Sequence, residues 1–259
     1  MYRFLLLFIA VLITISCSRN RLEPKGFSVK EEKRSLAEGN DNGLVKDSLK
    51  FETRPSGVLL TGEKRYRLTT VYKVNVNKGN GRSFTGSNNY YQNYQEEGSN
   101  GSNHWHNHFM PGLEAVYGYN MVNISLFDLD TKKQKLLFEK PVLIKTLYFP
   151  SFSSDTLNYK SIKRNYYLVS VYDEDTNGDG FINENDLRHL YCFNMDATAK
   201  TPLLPLNYSA ISSEYDPAND YMYVFAILDE NNNGKPEDHE SVQIFWIDLK
   251  DPIQNGRQY

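Results

Sequence analysis

The sequence lacks the features that identify a nucleic-acid-binding protein or a common enzyme. Its 29 Lys and Arg residues are offset by 32 Asp and Glu residues, so the net charge of −3 offers no basic footprint for nucleic acid. No GxSxG elbow, phosphate-binding glycine loop or HExxH motif occurs in a persuasive context. We therefore expect no nucleic-acid partner and a protein that is not an enzyme. A glycan-active hydrolase or accessory subunit, using an Asp or Glu pair that motifs cannot locate, is kept as an alternative.

Long apolar helices are also missing from the body of the chain. From about residue 57 the apolar residues alternate or form short runs, separated by Gly, Asn, Asp and Pro. This pattern is typical of short antiparallel strands. It predicts an all-β meander fold for residues 57–259, preceded by a flexible tether over residues 17–56, where charges mix with Gly and Pro.

Cysteine is scarce, with only Cys17 and Cys192 in the chain. The N-terminus, MYRFLLLFIAVLITISC, has one basic residue followed by an apolar run, as a secretory signal peptide does. The residues before Cys17 resemble the lipobox of bacterial lipoproteins, although Thr14 stands where that family prefers an aliphatic residue. The resemblance implies a signal peptide at residues 1–16, lipidation of Cys17, and a membrane partner bound through that lipid. Ser18, in place of Asp, implies outer-membrane sorting in the cell envelope, outside the cytoplasm.

With Cys17 lipidated, no intramolecular disulfide can form. Stability must then come from packing and from metal. Cys192 lies in the apolar run LYCF and is predicted to be a small buried hydrophobic residue.

The chain contains a repeat of strand, acidic loop and strand. Residues 166–196 and 222–248 share it, and aligning Asp173 with Asp229 matches Asp, Glu, Asn and Gly within a shared six-residue pattern. Residues 126–138 resemble 192–205, and 246–252 begin the same figure, in which a strand ends in an acidic turn and a second strand follows. This figure resembles blades of bacterial β-propellers, which implies about three propeller-like repeats. A β-sandwich built from the same hairpins is the alternative.

The first acidic loop carries oxygen donors at every second position, as calcium requires. The segment DTNGDGFINENDL resembles the loops of dockerin and EF-hand modules, and the register that begins at Asp175 fits best. A competing register begins at Asp173 and ends at Glu184, so the loop region spans residues 173–186. The predicted calcium ligands are Asp175, Asn177, Asp179, the Phe181 carbonyl, Asn183 and Asp186, with Asp173 as a further candidate.

The second acidic loop, residues 229–240, has the sequence DENNNGKPEDHE. Pro236 replaces the expected aliphatic residue, and two of the first three side chains are neutral amides, so we expect weaker calcium affinity. The predicted ligands are Asp229, Asn231, Asn233, the Lys235 carbonyl, Glu237 and Glu240.

The residues that flank both loops are β-branched and aromatic. We therefore expect calcium loops within β-hairpins, similar to those of integrin-type propellers, in place of paired EF-hand helices. Bound calcium would stiffen each hairpin, and without it the acidic side chains would repel one another.

A long insertion, residues 77–112, stands where the later repeats have their acidic loops. Its HWHNHF stretch places His104, His106 and His108 at alternate positions, a spacing that could hold zinc or copper. The competing interpretation is a contact loop rich in aromatic residues, with Tyr90, Tyr91, Tyr94 and Trp105 as its surface.

Together these patterns predict a calcium-stabilised lipoprotein that displays a binding or scaffold surface for a protein or glycan ligand. A metal-handling protein centred on residues 104–108 is the second alternative to the hydrolase.

Overall fold

The computed structural model describes residues 22–29, 51–90 and 110–259. Within these ranges the chain forms β-strands and no helix. The strands are β1 (Phe27–Ser28), β2 (Thr53–Leu60), β3 (Tyr66–Val76), β4 (Ser83–Thr85), β5 (Asn89–Tyr90), β6 (Leu113–Tyr117), β7 (Met121–Asp128), β8 (Lys133–Leu136), β9 (Leu143–Pro150), β10 (Asp155–Leu157), β11 (Lys160–Ile162), β12 (Tyr166–Tyr172), β13 (Phe181–Ile182), β14 (His189–Asn194), β15 (Lys200–Pro202), β16 (Tyr208–Asp216), β17 (Tyr221–Leu228), β18 (Val242–Asp248) and β19 (Asn255–Arg257).

The chain divides into two compact units. The smaller comprises residues 1–24 and 75–84, and in it Leu22 forms an antiparallel bridge with Asn77. The larger comprises residues 25–74 and 85–259 and contains both acidic loops.

Three successive antiparallel meanders of four strands make up most of the fold. The first meander has the order β2-β3-β7-β8, the second β9-β12-β14-β15, and the third β16-β17-β18-β19. The first two are parts of one 11-stranded antiparallel sheet, in which β7 also pairs with β9 at Met121 and Ile144, and the third is a separate four-stranded sheet. Each ends in the predicted figure of strand, acidic turn and strand: β7 to β8, β14 to β15, and β18 to β19. The prediction of an all-β fold with antiparallel strands is confirmed.

The second meander contributes to two hydrophobic cores because side chains alternate between the faces of a strand. On β12, Tyr167 and Val169 lie in a core shared with the first meander. Tyr166 and Leu168, on the same strand, lie in a core shared with the third meander. One face of the second meander therefore packs with the first, and the opposite face packs with the third.

A buried ion pair lies between the second and third meanders. The Arg164 guanidinium, just before β12, donates two hydrogen bonds to the Asp220 carboxylate in the turn between β16 and β17, at 2.7 and 2.9 Å. Both side chains are 1% exposed. The pairing is bidentate and fully desolvated, so it fixes the geometry of this junction.

Two described parts of the predicted tether are built into the fold. Phe27 is buried and pairs with Ile182, and β2 begins at Thr53. The prediction of a flexible tether over residues 17–56 is therefore wrong at Phe27 and at residues 53–56, and the β domain begins before residue 57. The two-residue strand β1 is too short to show a periodic pattern, and its partner lies far along the chain.

Candidate metal centres

Both acidic loops connect adjacent strands of a meander. The first, residues 175–186, lies between β12 and β14, and the second, residues 229–240, lies between β17 and β18. The prediction that strands flank the loops is thus confirmed, and there is no helix pair whose opening could expose a groove in the described residues.

The first half of loop 175–186 turns its side-chain oxygens inward to backbone N–H groups. Asp175 Oδ2 accepts from the Gly180 N–H at 2.8 Å, and Asn177 Oδ1 accepts from the Asp179 N–H at 2.9 Å. Gly180 has φ 86°, a conformation that costs a residue with a side chain about 1 kcal/mol or more. The glycine that the sequence pattern required is therefore the residue at the sharp turn.

Asp186 closes the first loop from inside it. Its side chain is fully buried, Oδ1 accepts from the Thr176 N–H at 2.9 Å, and Oδ2 accepts from the Asn183 N–H at 2.8 Å. Burial raises the pKa of Asp186, and the charge of nearby Asp175 adds to that rise. A cation beside these two carboxylates would relieve the same unfavourable interactions.

The second loop repeats six hydrogen bonds of the first at a constant offset of 54 residues. Gly234 N–H donates to Asp229 Oδ2 at 2.9 Å, as Gly180 does to Asp175. The two oxygens of Glu240 bind the N–H groups of Glu230 and Glu237, as those of Asp186 bind Thr176 and Asn183. Three more bonds match. The Asn233 N–H donates to Asn231 Oδ1 as the Asp179 N–H does to Asn177 Oδ1, and the Lys235 N–H donates to Asn233 Oδ1 as the Phe181 N–H does to Asp179 Oδ1. The Glu240 N–H donates to the Glu237 carbonyl as the Asp186 N–H does to the Asn183 carbonyl.

Asp173, predicted as a further ligand, has a different role. Its Oδ1 lies 2.6 Å from His189 Nδ1, and its Oδ2 accepts from the Tyr191 hydroxyl at 2.9 Å. With both oxygens held by β14 side chains, Asp173 is turned away from loop 175–186. The hydrogen bonds of the loop therefore follow the register that begins at Asp175 and not the one that begins at Asp173.

The repeat alignment of Asp173 with Asp229 must be corrected in the same way. Asp175 is the structural equivalent of Asp229, and residues 173–174 are an insertion between β12 and the first loop. With Asp173 removed from the ligand set, each loop offers three carboxylates and two amides. The weaker calcium binding expected of the second loop stays a prediction, since two of its first three side chains are neutral amides.

The unsatisfied atoms of the loops show whether the donor set fits a bound cation. Among the described residues, Asp175 Oδ1 is the one buried side-chain nitrogen or oxygen without a hydrogen-bond partner. An unpaired buried carboxylate oxygen is costly, and a divalent cation would satisfy it. Within the described ranges no three His, Cys, Asp or Glu side chains are already gathered around one point. The predicted calcium ligands also include Asn side-chain oxygens and backbone carbonyl oxygens, which a cluster of His, Cys, Asp and Glu side chains does not count.

The two loops touch at one point. Thr176 Oγ1 donates to the Gly234 carbonyl at 2.7 Å and accepts from the Leu187 N–H at 2.9 Å. A Cβ at Gly234 would stand 1.9 Å from the Thr176 carbonyl oxygen, so only glycine permits this approach. Sequence analysis did not foresee this contact, because two loops 54 residues apart carry no mark of being neighbours.

A second feature that sequence analysis missed is a salt-bridge cluster on the outer side of the first loop. Glu184 Oε1 lies 3.2 Å from Lys25 Nζ and 3.3 Å from Lys145 Nζ. Although partial burial opposes it, the two ammonium groups lower the pKa of Glu184. Glu184 is therefore held by lysines and does not close the loop as the competing register required.

Several predicted site residues lie outside the described ranges: Cys17, His104, His106, His108, Tyr91, Tyr94 and Trp105. Of the predicted aromatic surface, Tyr90 is described and is 45% exposed. Cys192 is buried, as predicted. Across the described ranges, no helix has the length and apolar character to span a bilayer.

Comparison with known proteins does not assign the chain to a family. No family model matches it, and a search of curated proteins returns no significant match. The relation between the loops and calcium sites therefore depends on the residues and their geometry.

Proposed function

We propose that the chain is a calcium-stabilised extracytoplasmic lipoprotein that binds one Ca²⁺ in each loop, at residues 175–186 and 229–240. The main support is the partnerless, buried Asp175 Oδ1 at the start of a loop that has the donor spacing calcium requires. The six matched hydrogen bonds of the second loop extend the proposal to that loop.

Calcium acts here as a structural ion. Each loop carries three carboxylates in the turn of a hairpin, where like charges destabilise the folded state. Calcium neutralises that charge and fixes the turn between two strands. Millimolar calcium outside cells is enough for the weak sites, about 10⁻⁴ to 10⁻³ M, that extracellular modules use.

The ligand of this domain is a protein or a glycan. The three meanders form the scaffold that carries its binding surface. Since both faces of the second meander are covered by the other two, a propeller-like succession of blades and a sandwich are both compatible arrangements. The N-terminal signal sequence and Cys17 favour a lipid anchor in the outer membrane.

Thermal unfolding of the full-length protein in detergent, with calcium or with a chelator, tests the structural role. We expect a higher midpoint with calcium in the wild type and no such rise in the doubly altered Asp175→Ala, Asp229→Ala variant. Calorimetry should give two calcium ions per chain. An unchanged midpoint together with no heat of binding would refute the proposal.

A further inference from the structure

The N-terminal strand β1 is built onto the first loop. Phe27 pairs with Ile182 and Ser28 pairs with Phe181 in antiparallel register, so β13 inside the loop has β1 as its partner. The Val29 N–H then donates to the Gly180 carbonyl at 3.0 Å. Residues 25–29 thus contact the second half of the loop, where the carbonyl ligand is predicted.

Side chains reinforce this backbone pairing. Lys25 binds Glu184, and Phe27 is 8% exposed in a small core with Ile182 and Tyr172. Gly26 is required for the close fit, since a Cβ there would stand 2.2 Å from the Ile182 carbonyl oxygen.

The second loop cannot accept a strand in the same way. Pro236 stands at the position equivalent to Ile182 and has no N–H to donate to a neighbouring strand. The chain therefore contains one loop that can pair with the N-terminal segment and one, with the same hydrogen bonds, that cannot.

We propose that residues 25–29 dock on loop 175–186 only while that loop holds a cation, so that calcium controls whether the N-terminal strand is attached to the β domain. This inference rests on the proposed calcium site in the first loop. The backbone of residues 180–183 is shared, because one side faces the cation and the other side pairs with β1. Calcium holds that backbone in the shape that β1 requires, and its loss leaves the acidic side chains of the loop without a compensating charge beside a two-residue strand.

Hydrogen–deuterium exchange of the peptide that covers residues 25–29, in the full-length protein in detergent, tests this coupling. In the wild type we expect exchange about tenfold faster in chelator than in calcium, a factor within the usual range of coupling between two sites. Asp175→Asn should exchange fast in both conditions. Asp229→Asn, the matched change in the other loop, should keep the calcium-dependent protection.

The reciprocal measurement leaves every residue of the first loop unaltered. Val29→Pro removes the N–H that binds the Gly180 carbonyl, and Val29→Ala keeps it. With the second loop disabled by Asp229→Asn, calorimetry should show calcium binding about tenfold weaker for the proline variant only, because coupling is reciprocal.

The outcomes separate the two proposals. If the wild type takes up two calcium ions but residues 25–29 exchange at the same rate with and without calcium, the coupling is refuted and the calcium sites stand. If calorimetry detects no calcium uptake, the proposed function fails first and the coupling fails with it.

Discussion

Gly234 in the second loop lies directly against the backbone of Thr176 in the first, with no space between them for a methyl group. Gly178 is the natural comparison, since it has a similar φ of 69° but no atom within 4 Å of the position that a Cβ would take. The two glycines therefore separate the cost of backbone conformation from the cost of a steric clash.

We predict that Gly178→Ala lowers the free energy of unfolding by about 1 kcal/mol, the cost of the left-handed conformation. Gly234→Ala should cost a further 1 to 3 kcal/mol, roughly the penalty of overpacking. Urea unfolding in saturating calcium measures both. Equal losses for the two variants would show that the loops are not in contact in solution.

The ligand register predicts different results at two aspartates only two residues apart. Asp175→Asn should remove one of two calcium ions from the calorimetric stoichiometry, because its carboxylate begins the loop. Asp173→Asn should keep both ions but lower the free energy of unfolding by about 1 to 3 kcal/mol, since an amide cannot accept at both positions, from His189 and from the Tyr191 hydroxyl, and carries no charge. Loss of an ion in the Asp173 variant would restore the discarded register.

Stability should depend on pH through His189. Burial lowers its pKa, but the hydrogen bond and charge of Asp173 outweigh this, and the net shift is upward. Both ring nitrogens face acceptors, Asp173 Oδ1 and the Leu206 carbonyl at 3.0 Å, which favours the imidazolium form.

A raised pKa in the folded state means that this contribution is complete below the unfolded value of about 6.5 and is lost as the pH rises through the folded value. The pKa of Asp173 is lowered in the folded state. The stability that its ionised carboxylate contributes is therefore present above about pH 4 and is lost on further acidification. Urea unfolding in saturating calcium should thus show the wild type more stable near pH 6 than near pH 9. His189→Gln should flatten that difference, and a slope unchanged by the substitution would assign it to other groups.

Breaking the buried Arg164–Asp220 pair should lower the free energy of unfolding far more than breaking the exposed pair of Arg54 and Glu52. Breaking a buried pair leaves one charge without compensation, so Asp220→Ala should cost about 3 to 5 kcal/mol. Glu52→Ala removes a partner from a pair that is 57% and 62% exposed and should cost about 1 kcal/mol or less. Chemical denaturation compares the two, and similar losses would mean that the junction between the second and third meanders is hydrated.

Local patterns in the sequence were sufficient for most of the longer strands and for the hairpins that carry the two acidic loops. The apolar runs of β12 and β17 and the oxygen donors at every second residue are properties of a short window. These patterns predict hairpins with an acidic turn, because the strands and the turn each depend on residues that are close together in the sequence.

The role of Asp173 could not be read in this way. Whether a carboxylate is a ligand or an ion-pair partner depends on which side chain faces it, and His189 lies across a strand pair. The attachment of β1 is a second example, since Phe27 pairs with Ile182 in a distant part of the chain. Such long-range pairing leaves no local pattern to read.

Cys192 has a practical consequence. Its side chain is 5% exposed, and burial raises the pKa of the thiol to about 12, so the nucleophilic thiolate is essentially absent at neutral pH. Maleimide reagents should spare it in the native protein. A fluorophore can then be attached through one cysteine introduced on the surface, with the natural residue left in place.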